Sequence, residues 1–202
     1  MSFANKQELR EFYGEPSQRA KYKQLDKLDV HCRNFIAHSP FLVLSSAGAD
    51  GSADASPKGD APGFVVVLDD QTLLIPDRLG NNRVDSFQNV LENPHVGLLF
   101  FVPGMNETLR VNGRASLTTD AALLEPLAVQ GKAPKAGLLV KVDEAFLHCA
   151  KALIRSNLWA PATQIDRKSF PSMGKMLADQ IGTEHSPEAD EEDRKRQQKS
   201  LY

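Results

Sequence analysis

The seven residues Asp77-Arg78-Leu79-Gly80-Asn81-Asn82-Arg83 place two arginines and two asparagines between an apolar run, Thr72 to Pro76, and an amphipathic segment that ends at Asn93-Pro94. These types in this order suit capture of a phosphate. After Asn82, apolar residues fall at Val84, Phe87, Val90 and Leu91, which is helical spacing, and Pro94 stops the run. The spacing predicts a helix capped by Asn81 or Asn82. A helix start offers unpaired N–H groups and a partial positive charge to an anion, and Arg78 and Arg83 add two full charges. Each charge-assisted hydrogen bond contributes roughly 1.5–3 kcal/mol, so a few of them supply much of the ~8 kcal/mol of micromolar binding. The expected guest is a phosphate monoester.

Three further segments concentrate polar chemistry: Ser56-Pro57-Lys58-Gly59-Asp60, Arg110-Val111-Asn112-Gly113-Arg114 and Arg155-Ser156-Asn157-Leu158-Trp159. Each also has a plain structural reading. Pro, Gly and Asp are ordinary turn residues, and Arg110 and Arg114 share one strand face under period two, where paired arginines can simply solubilise the outside. Trp159, the single tryptophan, can be a packing anchor. The pairs His31-Cys32 and His148-Cys149 lack local ligand spacing, so no metal is expected. The two cysteines lie far apart and read as reduced thiols.

The elements that must position these residues follow from patterning. Leu25, Leu28, Cys32, Phe35 and Ile36 repeat at spacings of three and four, predicting a helix that ends near Ser39-Pro40. Strands are expected at 41–46, 52–56, 64–68, 73–75, 96–102, 107–117 and 138–142, separated by the turn residues Gly48 to Gly51, Asp69 to Gln71 and Pro103 to Asn106. Such short spacings favour an antiparallel barrel over an alternating parallel sheet, with closure removing exposed edges. A short helix is predicted over 120–127 and another over 170–181; beyond Gly182 the chain is polar, and disorder or a solvated helix is expected.

The chain has 202 residues, 41% hydrophobic and 25% charged, enough for one domain with a sizeable core. A net charge of -2 with scattered Lys and Arg argues against nucleic acid or an anionic membrane surface as partner. No apolar run approaches the ~18 residues of a spanning helix, and the N-terminus lacks an apolar signal core, so a cytoplasmic location is the expectation.

Taken in chain order, the hairpin, the Ser/Lys-bearing strand, the arginine-containing helix start, the Asn-Pro helix stop, the apolar strand and the Arg-Val-Asn-Gly strand resemble the pyridoxamine 5'-phosphate oxidase-like flavoproteins over roughly residues 35–160. The resemblance implies an α+β fold, mainly β: an antiparallel split β-barrel (39–165) between an N-terminal helical segment (1–38) and a C-terminal helix with a polar tail (166–202). It implies FMN as cofactor, its phosphate held by Arg83, Asn82, Ser56 and Lys58, with Arg78 and Arg110 as further contacts. It also implies a homodimer with the flavin at the subunit interface, where Arg155, Ser156 and Trp159 approach from the second copy. The family's usual Ser-Arg-Lys at the helix start reads Asn82-Arg83-Val84 here, so Arg78 or Lys58 would replace the second basic residue. The Trp- and Arg-containing tail with which the oxidase proper grips its amine substrate is absent, which implies an oxidoreductase acting on another small molecule, with NAD(P)H as a candidate reductant. No catalytic side chain is nominated. A flavin-binding or sensor protein without turnover, or a barrel using deazaflavin or haem, stays open.

Overall fold

Period-two burial runs through the centre of the molecule. In β1 (Phe41–Ala47) Leu42, Leu44 and Ser46 point inward while Phe41, Val43 and Ser45 point out, and β5 (His95–Phe101) buries Val96, Leu98 and Phe100 in the same rhythm. The computed structural model describes residues 3–202; Met1 and Ser2, which begin the predicted 1–38 segment, lie outside the described residues. The other strands are β2 (Ala53–Gly59), β3 (Val66–Asp69), β4 (Thr72–Pro76), β6 (Thr108–Thr118) and β7 (Gly137–His148). All ladders are antiparallel and form one seven-stranded sheet ordered β2-β1-β5-β6-β7-β4-β3. Leu42, Leu44, Phe100, Leu109, Val111 and Val140 are fully buried on its inner face; each such side chain contributes about 1.5–3 kcal/mol by leaving water.

The fold is the expected α+β split barrel, and its edges qualify the expectation of closure. β2 and β3 end the strand order with no ladder between them, so the barrel is open along one seam. The curl of the sheet still brings β2 opposite the chain that leaves β4, and that seam holds the site.

Helices α1 (Lys6–Tyr13) and α2 (Gln18–Tyr22) bury no residue. Helix α3 (Val30–His38) packs Cys32, Phe35 and Ile36 into the core. It starts later than the spacing from Leu25 predicts, because Asp29 caps it by accepting from the Cys32 amide. Leu25 instead exchanges two backbone hydrogen bonds with Ala145 of β7, at 3.0 and 2.8 Å. That pairing helps β7 run to His148, six residues past the predicted end. Helix α4 (Asp85–Glu92) lies against β1 and β6; α5 (Ala121–Leu124), α6 (Lys151–Ser156), α7 (Met173–Ile181) and α8 (Pro187–Lys199) complete the chain. The polar tail is therefore a helix rather than disorder. No helix among the described residues is long and apolar enough to cross a membrane.

Candidate functional site

The inward row of β2 is Asp54, Ser56 and Lys58, half-buried at every second position. Across the seam runs the irregular segment Asp77 to Val84, and the two sides with the start of α4 enclose a cleft of about 470 Å³ lined by Ser56, Lys58, Arg78, Asn82, Arg83 and Ser86, among others. Its size falls in the ~300–1,000 Å³ range of small-molecule sites. The apolar part of the wall includes Phe64, Leu79 and Phe87, with Lys58 Nζ 5.8 Å from the centroid of the Phe87 ring.

Five of the residues read from the sequence thus share one cleft, although α4 does not begin where predicted. Neither Asn81 nor Asn82 caps it. The residue before the helix is Val84, in left-handed backbone (φ 51°, ψ 27°) with no side-chain cap. Asn81 Oδ1 accepts from the Arg83 amide at 3.0 Å, which closes a local turn ahead of the helix and takes the asparagine out of capping reach. The exposed Arg83 guanidinium donates to Asp85 Oδ2 at 2.8 Å. That link steers the arginine across the helix start while leaving further N–H groups for an anion.

The buried face of α4 also differs from its apolar pattern. Leu91 is 74% exposed whereas Ser86 is 3% exposed. Ser86 Oγ lies 2.9 Å from Ser56 Oγ and 3.2 Å from Asp54 Oδ2, and Ser56 Oγ donates to Asp54 Oδ2 at 2.9 Å. This triangle fastens β2 to the first turn of α4 and fixes the Ser56 hydroxyl. Ser86 has no signal of its own in the sequence, because its partners lie some 30 residues earlier.

Arg78 lines the cleft but is already engaged. Its Nε donates to Asp60 Oδ2 at 2.5 Å and its Nη1 to the Leu127 carbonyl at 2.9 Å, with both side chains of the ion pair largely buried. Tyr202 Oη donates to Asp60 Oδ1 at 2.5 Å, and the tyrosine ring lies 5.8 Å from the Arg78 guanidinium carbon. Burial works to raise the Asp60 pKa, but the hydrogen bonds from Tyr202, the Ala61 amide and Arg78, with the Arg78 charge, outweigh it and hold the carboxyl below its ordinary value. Asp77 behaves oppositely: burial pushes its carboxyl up against the pull of Lys58 and Lys135. The sequence nominated none of Asp60, Asp77, Lys132, Lys135 and Tyr202 as a binding residue, although Asp60 and Asp77 stand in segments that it marked. Asp77, Lys132, Lys135 and Tyr202 line a second cleft of about 340 Å³ that adjoins the first through Asp77 to Gly80 and Asn82, and Asp60 joins them through Arg78 and Tyr202.

The remaining expected residues lie elsewhere on the same chain. Register places Val43, Leu99, Arg110 and Phe146 in one cross-strand row on the outer face of the barrel. Trp159 follows α6, donates from Nε1 to the Met105 carbonyl at 2.6 Å, and borders an apolar groove of about 370 Å³ with Phe41, Val43, Phe101, Pro103 and Leu158. Arg155 and Ser156 end α6, where Ser156 Oγ donates to the Leu153 carbonyl at 3.2 Å. None of Arg110, Arg155, Ser156 and Trp159 lines the cleft at the seam.

No curated protein sequence matches the chain. Among solved structures, HupZ from Group A Streptococcus is 17% identical with a TM-score of 0.50, covering 59% of this chain and 92% of its own. An FMN-binding protein from Syntrophomonas wolfei is 14% identical (TM-score 0.45; 58% and 83% covered), and HutZ, the haem storage protein of Vibrio cholerae, is 15% identical (TM-score 0.39; 60% and 94% covered). At these identities the likeness to HupZ shows a shared fold and no more. The family model for pyridoxamine 5'-phosphate oxidase matches residues 28–149, which span every strand of the barrel and both sides of the cleft. This chain therefore belongs to the pyridoxamine 5'-phosphate oxidase family.

Proposed function

We propose that the protein binds FMN in the seam cleft and acts as an FMN-dependent oxidoreductase on a small molecule other than pyridoxamine 5'-phosphate. The observation that carries this reading is the convergence of Ser56, Lys58, Asn82, Arg83 and the start of α4 on one cleft. The residues present fit the group. Cationic and amide donors at one place suit a phosphate monoester, and the neighbouring Phe64, Leu79 and Phe87 suit an apolar ring system.

When bound, FMN supplies the redox chemistry, accepting and passing on a hydride equivalent. The chain supplies binding and electrostatics. Lys58 and Arg83 neutralise the phosphate, and the Ser56–Asp54–Ser86 triangle holds the hydroxyl and the helix start in place. Asp77, whose carboxyl burial makes easier to protonate, offers a hydrogen-bonding group where the two clefts meet. Arg155, Ser156 and Trp159 reach this cleft from a second copy, so the working unit is a homodimer. NAD(P)H is the proposed reductant.

The absorbance spectrum of the purified protein tests this directly. Flavin maxima near ~375 and ~450 nm, with FMN released on denaturation and bleaching by NAD(P)H, are expected. A colourless protein that refuses added FMN overturns the reading. A Soret band in place of the flavin maxima assigns haem.

A further inference from the structure

Phe146 stands at the centre of an outer-face cluster, none of whose residues lines the seam cleft. It sits on β7 opposite Arg110 of β6, and His148 follows two residues later on the same face. The Arg110 guanidinium carbon lies 5.3 Å from the centroid of the Phe146 ring, Lys23 Nζ lies 5.0 Å from it, and the His148 ring is 5.0 Å away, tilted by 46°. Three nitrogen-bearing groups, from the chain before α3, from β6 and from β7, thus face one aromatic ring.

The charges of this cluster are not answered from within. Lys23 Nζ donates to the Leu147 carbonyl at 2.7 Å, which ties its stem to the strand without neutralising it. Among the described residues the Arg110 guanidinium has neither a hydrogen bond nor an ion pair, and it rests on the Phe146 ring. Glu144, on the same strand face, accepts instead from two neutral donors: Asn112 Nδ2 at 2.6 Å, and Gln24 Nε2. Asp143 is taken by Arg114. His148 Nε2 is buried with no hydrogen-bond partner among the protein's described groups, which is unfavourable for a polar atom. Burial first, then the charges of Arg110 and Lys23, hold the imidazole pKa below its ordinary value, which favours the neutral ring.

We propose that Lys23, Arg110 and His148 form a binding site for a small oxyanion, a carboxylate or phosphate group whose carrier rests against the Phe146 ring. Both cationic side chains are exposed, each carried on a stem with several rotatable bonds. As they turn from the ring to the anion, they give it two charge-assisted contacts and bring an oxygen within reach of the imidazole nitrogen. The site shares no residue with the lining of the seam cleft.

The test titrates the purified full chain, carrying whatever flavin it holds, with inorganic phosphate and separately with acetate, while NMR follows the His148 imidazole. Saturable shifts are expected, with the His148 pKa rising when the anion is bound. Affinity falls about tenfold or more in Arg110→Gln and in Lys23→Gln, and stays the same in Arg114→Gln. The anion with the tighter response identifies phosphate or carboxylate as the recognised group. A silent His148, or a response equal in wild type and both variants, overturns the site. So does loss of bound FMN from Arg110→Gln, which assigns Arg110 to the cofactor instead.

Discussion

Two arginines that look alike in the sequence, Arg78 and Arg83, stand in different surroundings in the structure, and substitution separates them. The Arg83 guanidinium is exposed and pairs with the neighbouring Asp85, so Arg83→Ala is expected to leave the fold intact and to weaken FMN binding by about tenfold or more, as is Lys58→Ala, read by fluorescence titration. Arg78 is bound into the scaffold, where its partner Asp60 has a side chain only 4% exposed. Arg78→Ala is therefore expected to lower thermal stability first, since a buried carboxylate left without its cation costs several kcal/mol. The same pair gives a pH dependence of definite sign. Because the native Asp60 carboxyl is held below its ordinary 3.8, the unfolded chain binds its proton more readily, and stability rises with pH across that window. The contribution is complete above the ordinary carboxylate range and is lost as pH falls through the lowered pKa. The difference in Tm between wild type and Asp60→Asn should accordingly be widest near neutrality and close below about pH 4; a constant difference would show that Asp60 does not carry the effect.

Elements were legible where the pattern is local and illegible where a distant partner decides. Apolar runs bounded by turn residues marked all seven strands, and Pro94 marked the end of α4. The start of α4 did not follow from its asparagines, because Asn81 bonds to the Arg83 amide and leaves the position before the helix to Val84. Nor did its buried face, since Ser86 becomes an inward residue only through Ser56 and Asp54 on β2. Gly113 stood out as part of a motif, yet its reason lies across the sheet: a Cβ there would meet the Lys141 carbonyl oxygen at 2.1 Å, beside the register shift between β6 and β7. The strained start of α4 yields a prediction. A β-branched residue at φ 51° costs about 1–3 kcal/mol, while the Val84 side chain, 48% exposed, contributes little packing. Val84→Gly should raise the Tm of the flavin-free protein by about 2–4 °C, measured by calorimetry. A lower Tm would mean that packing of the valine outweighs its backbone strain.

At the scale of the whole molecule, the cleft contains the phosphate-type residues of the candidate site and lacks the aromatic one. Trp159 lies on the outer face, beside an apolar groove that Phe41, Val43, Phe101, Pro103 and Leu158 leave open to solvent. The chain beyond it adds exposed Ile165, Phe170, Met173, Leu177 and Ile181. An exposed apolar groove of this kind is characteristic of an interaction face, and a second copy of the chain is the occupant that would also bring Arg155, Ser156 and Trp159 to a cleft. The expected mass in sedimentation is therefore twice that of one chain. Phe101→Asp, which puts a charge into the groove, should yield monomers that bind FMN poorly even though no residue of the seam cleft has changed. Trp159→Leu should keep the dimer and lower flavin affinity, because the groove stays apolar while the aromatic ring is lost. If Phe101→Asp monomers held FMN as tightly as wild type, the site would be complete within one chain, and Trp159 would be a packing residue of the outer face.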